Sequence, residues 1–393
     1  MDLAGISKLL TPEGWALLGS LPDYEAGTAT ALGERLRRDG HDPVLVAAAL
    51  TQSRLRAAAR AKFGPFAEGM LFTPEGLEQA TRLPVAARHA QRFASAGIER
   101  VADLGCGIGA DSMALAGLER QVVAVERDEV TAAVATVNLR HWPEAVVRCE
   151  DATRTDLTGI GGVFCDPSRR DESGRRLLDP RGGSPPLGFV LDLAAKLPAV
   201  GLKTAPGIPH SLIPEGAEAQ WVSVDGDVLE AGLWFGLLAR DGVRRSALVI
   251  GADGAAAETS DAGMAPPADG PLGGFLYEPD GAVIRAGLVA QVAAAVEGRL
   301  IDRSIAYVTA DRPVHTPLAT GYVVEDSFGF QLKRLRTWLH DRQVGRLTIK
   351  KRGSAVEVTQ LRRQLRLSGD HEATIVLTRL QGRQSVIVVR PLH

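Results

Sequence analysis

Three carboxylate side chains lie at the ends of short apolar runs in the first half of the chain: Asp103, Glu126 and Asp151. Such runs predict buried strands, and an open α/β sheet binds its ligand at the carboxyl ends of its strands. Three acids in this arrangement therefore predict one ligand site at that edge of the sheet, with a carboxylate from each of three strands.

A glycine-rich loop follows the first of these acids, with Gly105, Gly107 and Gly109 at alternate positions. Glycines let the backbone approach a ligand closely, and read from Gly105 to Ala110 the loop also matches a variant of the dinucleotide fingerprint. Asp103 distinguishes a dinucleotide from S-adenosylmethionine as the cofactor. A carboxylate at this position would repel a pyrophosphate but attract the cationic sulfonium and amino groups of S-adenosylmethionine. We therefore expect S-adenosylmethionine.

Glu126 ends a second predicted strand, 23 positions after Asp103. An acid at this place accepts hydrogen bonds from both ribose hydroxyls of a nucleoside cofactor. This residue supports a nucleoside without identifying which one.

A fourth predicted strand runs into Asp166-Pro167-Ser168-Arg169-Arg170. A carboxylate or carbonyl at this strand end can hold an exocyclic amine with its lone pair towards the methyl donor, and the transfer needs chiefly positioning. The two arginines suit a substrate phosphate, or form a solvated pair. The expected catalytic residues are Asp166, Pro167, Ser168 and Arg169, with Arg170 binding substrate.

Short apolar runs alternate with helical patterns around these motifs. This alternation predicts an α/β fold with a mostly parallel, Rossmann-like sheet. The predicted strands are Arg100 to Leu104, Gln121 to Glu126, Val146 to Cys149, Gly162 to Cys165 and Val200 to Ala205. Before them, a capping residue followed by proline at Thr11, Asp42 and Thr73 predicts an N-terminal helical region.

A chain of 393 residues predicts two to four domains. A helix is expected over Leu288 to Leu300 and another over Val358 to Leu367. The predicted divisions are an N-terminal helical domain at 1–95, a cofactor-binding domain at 96–252, a flexible Gly- and Pro-rich linker or insertion at 253–274, and small α+β domains at 275–320 and 321–393.

The net charge of −2 hides an uneven distribution. Residues 331–393 hold 14 Lys and Arg against 4 Asp and Glu, whereas the rest holds 31 basic and 43 acidic residues. A basic end on an acidic body is expected where the end binds a polyanion, and it also fits a solvated basic face. The candidate substrate-binding cations at this end are Lys333, Arg334, Arg336, Lys350, Lys351 and Arg352.

The composition argues against several other classes of protein. With 45% hydrophobic and 23% charged residues, the chain has no apolar run approaching the roughly 20 residues that span a bilayer. Three scattered cysteines, and a start without a basic and apolar leader, predict a cytoplasmic protein without disulfides. We expect no metal site, since no spaced His, Cys and Asp cluster occurs.

Together these motifs resemble class I methyltransferases related to RNA-modifying enzymes, of the bacterial type with a THUMP-like C-terminal domain. Phe72-Thr73-Pro74-Glu75, the Asp103 loop and Asp166-Pro167 also resemble the trimethylguanosine-synthase group. Residues 277–280 and 285–288 look like the ferredoxin-like module that precedes the THUMP-like end. In such enzymes the acid at Asp151, with the small Ala152 after it, meets the adenine amine.

The resemblance implies RNA as a partner, with an exocyclic base amine as the methyl acceptor. Two alternatives stay open: a small-molecule or protein methyltransferase, and a non-catalytic RNA-binding protein that retains cofactor binding. One departure is that Ser168 and Arg169 replace the second proline and the aromatic of the D-P-P-[WYF] motif. The base would then stack elsewhere, on Arg169 or beneath Phe72 or Trp234, unless those aromatics belong to the core.

Other reactive side chains are weighed and set aside. Cys106 and Cys165 flank the predicted site and invite a nucleophilic interpretation, but small apolar filler is the preferred one. His210 follows the fifth predicted strand without an identifiable partner, so we interpret it as a loop histidine.

Overall fold

The structure is a computed structural model that describes residues 3–168, 183–263 and 267–392. The chain divides into two compact units. The first comprises Met1–Thr204, Pro214–Ala217 and Gly232–Arg240, and the second comprises the remaining residues. Arg169 and Arg170 lie outside the described residues.

The described part of the first unit begins with six α-helices, and a 3-10 helix, Gly64–Gly69, lies between the fourth and the fifth. They are α1 (Leu3–Leu9), α2 (Pro12–Ser20), α3 (Ala29–Arg38), α4 (Pro43–Phe63), α5 (Pro74–Gln79) and α6 (Leu83–Ser95). Thr11, Asp42 and Thr73 each accept a hydrogen bond from a backbone N–H of the helix that follows, and proline occupies the start of each helix. The predicted caps are therefore confirmed, because a cap and the proline after it act locally.

An α/β layer follows in the same unit. Its elements are β1 (Arg100–Leu104), α7 (Ala110–Gly117), β2 (Gln121–Glu126), α8 (Glu129–Asn138), β3 (Ala145–Cys149), β4 (Gly162–Cys165), α9 (Leu187–Ala194) and β5 (Ala199–Thr204). The five strands are parallel in the order β3-β2-β1-β4-β5. The order reverses between β1 and β4, and this is where a sheet of this kind leaves a crevice for ligand. The expected fold class is confirmed.

In the second unit, β6 (Glu218–Val224) pairs in parallel with β8 (Arg245–Ile250). Strand β7 (Asp227–Gly236) begins in this unit and ends in the first. β9 (Ala256–Ser260) pairs antiparallel with β8 and lies inside the segment predicted as a linker. Residues 264–266 of that segment are outside the described residues.

A seven-stranded sheet forms the rest of the second unit. Its elements are β10 (Phe275–Pro279), α10 (Gly281–Ala286), α11 (Val289–Ala295), β11 (Arg299–Leu300), β12 (Val308–Ala310), β13 (Ala319–Gly329), α12 (Leu332–Asp341), β14 (Val344–Lys351), α13 (Val358–Leu365), β15 (His371–Leu380) and β16 (Arg383–Pro391). The strand order is β11-β12-β10-β13-β16-β15-β14. Apolar side chains of α12 and α13 share one core with β15 and β16.

The expected helix over Leu288 to Leu300 is wrong at its end. Helix α11 stops at Ala295, Glu297 takes a left-handed φ of 50°, and Arg299 starts a strand. The left-handed Glu297 ends the helix, and the amide of Gly298 donates back to the carbonyl of Ala293 at 2.7 Å, as in a helix C-cap. The domain boundaries stay predictions, although β13 pairs with β10 on one side and β16 on the other, so one sheet contains strands of both predicted C-terminal domains.

Candidate active site

The loop between β1 and α7 approaches the end of β4. A Cβ added to Gly105, whose φ is 85°, would lie 2.9 Å from the backbone oxygen of Asp166. The amides of Gly105 and Cys106 both donate to the carbonyl of Val125 in β2, at 2.9 and 3.0 Å. Gly109 then begins α7 at a φ of 89°. The loop is thus held against two strands, and glycine is required where it meets Asp166.

Asp103 lies beneath this loop and is 1% exposed. Its Oδ2 accepts a hydrogen bond of 2.5 Å from the hydroxyl of Ser112, in the first turn of α7. Burial, and after it the nearby carboxylate of Asp111, raises the pKa of Asp103 to about 8. The acid predicted to attract the donor is therefore mostly protonated at neutral pH without a ligand.

Glu126 ends β2 beside the same loop. Its Oε2 accepts from the amide of Gly107 at 3.1 Å, and its Oε1 accepts from the amide of Asp128 at 2.9 Å. Two backbone donors fix the carboxylate at the edge of the sheet. This is the place the sequence predicts for a ribose-binding acid.

Asp151 follows β3 and is exposed. Its Oδ1 caps a short 3-10 helix, Ala152–Arg154, by accepting from the amide and the hydroxyl of Thr153 at 2.8 and 2.7 Å. These two hydrogen bonds lower the pKa of Asp151. The third predicted acid is therefore an ionised carboxylate at the same edge.

Asp166 lies directly after β4 and forms an ion pair that the sequence analysis missed. Its Oδ2 is 2.6 Å from Nζ of Lys203 in β5, and the two side chains are 31% and 12% exposed. The amide of Asp166 donates to the carbonyl of Leu104 at 3.2 Å, which ties the segment after β4 to β1. Pro167 follows, and Ser168 forms an isolated antiparallel bridge with Ser184.

A buried polar network continues from this ion pair. Nζ of Lys203 donates to the hydroxyl of Thr81 at 2.9 Å, and that hydroxyl donates to Oδ2 of Asp111 at 2.6 Å. Nδ1 of His89 is 2.7 Å from Oδ1 of Asp111. Burial opposes ionisation of Asp111, but His89 and then Lys203 outweigh it and lower its pKa. A lysine inside an apolar strand was the available sequence signal for this network.

Of the side chains set aside in the sequence, the aromatics and cysteines are buried as expected, whereas His210 begins a 3-10 helix and has a partner. Phe72 and Trp234 are buried in the core at 0% and 1% exposure, so neither covers a pocket. Burial raises the pKa of the Cys106 and Cys165 thiols well above the usual value, which keeps both protonated. His210, in the second unit, contacts the carbonyl oxygen of Arg285 at 2.6 Å.

The predicted basic residues of the C-terminal end fall into two groups. Lys350 and Arg352 lie beside Glu278, at 2.6 and 3.8 Å, so that their charge is partly neutralised. The others are exposed: Lys333, Arg334 and Arg336 on α12, and Lys351 at the end of β14. Hence the cations on α12 are the more available for a ligand.

Within the described part of the chain, no group of three or more His, Cys, Asp or Glu is placed to hold a metal ion. None of the described helices is long and apolar enough to cross a membrane.

Comparison with known proteins adds two family models and two relatives. A model described as THUMP domain-like matches residues 319–391, and a model described as a domain of unknown function matches residues 2–59. Two uncharacterised S-adenosylmethionine-dependent methyltransferases of Mycobacterium tuberculosis, from strains CDC 1551 and H37Rv, are each 35% identical over 341 residues. Each alignment covers 83% of this chain and 90% of the relative. The chain belongs to the S-adenosylmethionine-dependent methyltransferases.

A solved structure resembles this chain in fold over nearly its whole length. A crystal structure of a candidate methyltransferase from Porphyromonas gingivalis W83 matches with a TM-score of 0.73 and 18% identity, covering 94% of this chain and 100% of that chain. The expectation of a class I methyltransferase with a THUMP-like C-terminal domain is thereby confirmed, as is S-adenosylmethionine as the cofactor of its family.

Proposed function

We propose that this methyltransferase acts on an exocyclic amine of a base in RNA. The observation that carries the proposal is the position of Asp166. This residue directly follows β4, and its backbone oxygen lies against Gly105 in the glycine loop. A hydrogen-bond acceptor directly beside the donor loop is what an amine acceptor needs for alignment.

The residues around the loop fit S-adenosylmethionine. Asp103 provides a buried carboxylate for a cationic group, the loop glycines provide a surface without side chains, and Glu126 provides fixed oxygens for the ribose. Asp151, with the small Ala152 after it, is the proposed partner of the adenine amine. When bound, the cofactor supplies an electrophilic methyl group on a sulfonium.

Asp166 would accept an N–H of the amine and so hold the nitrogen lone pair towards that methyl group. An ionised carboxylate suits this task, because it only accepts hydrogen bonds. Once methylated, the amine nitrogen would have to lose a proton, and the carboxylate of Asp166 would be placed to accept it.

RNA as the acceptor rests on the C-terminal end of the chain. Besides the THUMP domain-like match, α12 and α13 pack together and carry exposed cations. These are Lys333, Arg334, Arg336, Arg362, Arg363 and, just beyond α13, Arg366. The guanidinium of Arg334 also lies 4.7 Å from the ring centre of Phe328. Such a surface suits a phosphate backbone.

The test is transfer of tritiated methyl groups from S-adenosylmethionine to total RNA from a strain that lacks the gene, followed by nucleoside analysis. A labelled N-methylated nucleoside is expected. Label in protein or small molecules, but not in RNA, would contradict the choice of substrate. Cofactor binding without transfer to any fraction would instead favour a non-catalytic RNA-binding protein.

A further inference from the structure

Lys203 is a charged residue in the otherwise apolar strand β5, one position before its end. Because β5 is the neighbour of β4, the lysine reaches the residue that follows β4. Its Nζ lies 2.6 Å from Oδ2 of Asp166, and its side chain is only 12% exposed. The contact is therefore a charge-assisted hydrogen bond at the edge of the sheet that holds the donor loop.

The ammonium group of Lys203 also has a second hydrogen-bond partner. Thr81 accepts from Lys203 at 2.9 Å and donates to Asp111 at 2.6 Å, and Asp111 is 2.7 Å from His89. Asp111 and His89 are 7% and 3% exposed. Short contacts to buried groups leave Lys203 little freedom to move.

The position of Thr81 is also fixed. It follows α5, whose last carbonyls accept hydrogen bonds from Nζ of Lys62. These acceptors are Leu77, Glu78 and Ala80, at 2.8, 2.7 and 2.9 Å. A cation at a helix C-terminus stabilises the end of the helix, and here it anchors the segment that reaches Lys203.

The ion pair matters because an isolated carboxylate rotates easily and is easily protonated near other acids. The torsion that turns a carboxylate is broad, so a short hydrogen bond to one carboxylate oxygen narrows the orientations open to Asp166. The carboxylate of Asp166 lies close enough to Asp103 to raise the pKa of Asp103 by repulsion, so the two carboxyl groups are electrostatically linked. An ammonium at hydrogen-bond distance favours the charged carboxylate and restricts its rotation.

We propose that Lys203 is a positioning residue for methyl transfer, which holds the ionised carboxylate of Asp166 in one orientation beside the donor loop through its contacts with Thr81 and Asp111. The inference rests on the proposed role of Asp166 towards the acceptor amine.

The experiment is a double-mutant cycle on the rate of a single turnover. The variants are Lys203→Met, Asp166→Asn and the two combined, with Lys203→Arg as the conservative change and the exposed Lys196→Met as a matched control. Rates are measured with tritiated S-adenosylmethionine and total RNA from a strain lacking the gene, and affinity for S-adenosylhomocysteine is measured by calorimetry.

Lys203→Met should slow transfer on the order of 100-fold, the loss expected when a reacting group is misplaced by about 1 Å. Affinity for S-adenosylhomocysteine should stay within about threefold, and Lys203→Arg should recover most of the rate. Since Lys203 acts through Asp166, the combined variant should be no slower than Asp166→Asn alone. The inference is overturned if the rate losses of the two single variants multiply in the combined variant, or if Lys203→Met transfers at the normal rate.

Crystal structures with S-adenosylhomocysteine give a readout that needs no acceptor. The carboxylate of Asp166 should leave its position in Lys203→Met and keep it in Lys203→Arg. An unmoved carboxylate in Lys203→Met overturns the inference, whether or not RNA is the substrate. If wild-type protein labels no RNA, or Asp166→Asn transfers normally, the proposed function fails instead, and the crystal structures still decide the role of Lys203.

Discussion

The buried carboxylate of Asp103 predicts that binding of the methyl donor releases a proton. Burial, and then Asp111, raises the pKa of Asp103 to about 8. The cationic end of the cofactor requires the ionised form, so binding must first remove the proton. The matched perturbation is Asp103→Asn, which keeps the shape and the hydrogen-bonding capacity but cannot ionise.

The magnitude follows from the pKa. Because the pKa of Asp103 is about 8, most of this carboxyl is protonated at pH 7, so deprotonation opposes binding by roughly one order of magnitude in affinity. Observed affinity should therefore rise about tenfold from pH 7 to pH 9 and level off above about pH 8. Loss of a charged hydrogen bond should weaken binding by about 1.5 to 3 kcal/mol at about pH 9. At pH 7 the same substitution should appear milder, because wild-type Asp103 must lose a proton there before it binds the ligand.

The assay is calorimetry of S-adenosylhomocysteine from about pH 6 to about pH 9, in two buffers with different enthalpies of ionisation. Near pH 7, wild type should release close to one proton more per ligand than Asp103→Asn. The variant corrects for titration of the ligand's own amino group. Equal proton release by both proteins, or affinity that falls as the pH rises towards 8, would refute the reasoning.

Three further predictions concern the acceptor, the loop and the basic surface. Asp166→Ala should abolish transfer but keep cofactor affinity within a few-fold, because the residue aligns the acceptor; normal turnover in the tritium assay would mean that another group does so. Gly105→Ala should destabilise the protein by at least about 1 kcal/mol and reduce cofactor affinity, since its φ is 85° and its Cβ would press on Asp166. Gly188→Ala, inside α9 and where a Cβ meets nothing within 4 Å, should leave cofactor affinity unchanged and should not destabilise the protein. Replacing the cations of α12 with alanine should weaken RNA binding and reduce the slope of log affinity against log salt by about 0.7 for each lost single-strand phosphate contact. A matched triple substitution on α3 controls for the change in net charge. An unchanged slope in the α12 variant would show that α12 is not the RNA-binding surface. The α12 cations are Lys333, Arg334 and Arg336, and those on α3 are Arg35, Arg37 and Arg38.

Substitution tests the basic surface better than removal of residues 331–393. Strand β13 would lose its partner β16, because the two pair along most of their length. A truncated protein would expose a sheet edge and a buried core together with the missing cations, so lost RNA binding would have several explanations.

Features that depend on neighbouring residues were predictable from the sequence. The caps at Thr11, Asp42 and Thr73 appear as expected, and β1, β2 and β4 have the predicted bounds. A cap, a proline or an apolar run acts over a few residues, so its effect is visible without the fold. The cofactor class was predictable for the same reason, since the Asp103 acid and its glycine loop are contiguous. The end of the helix near Glu297 was missed because a single left-handed residue stops it.

The tertiary structure decided which charges meet. Lys203 contacts Asp166 across 37 positions of sequence and Thr81 across 122, distances at which no periodicity carries information. The tertiary structure also divided the C-terminal cations into two groups. Lys350 pairs with Glu278, 72 positions away in the sequence, whereas the cations of α12 stay exposed. The protonation of Asp103 belongs here as well, because it results from burial and from the carboxylate of Asp111. Charge identity is written in the sequence, but desolvation and the distance between charges, which set the strength of their interaction, exist only once the chain has folded.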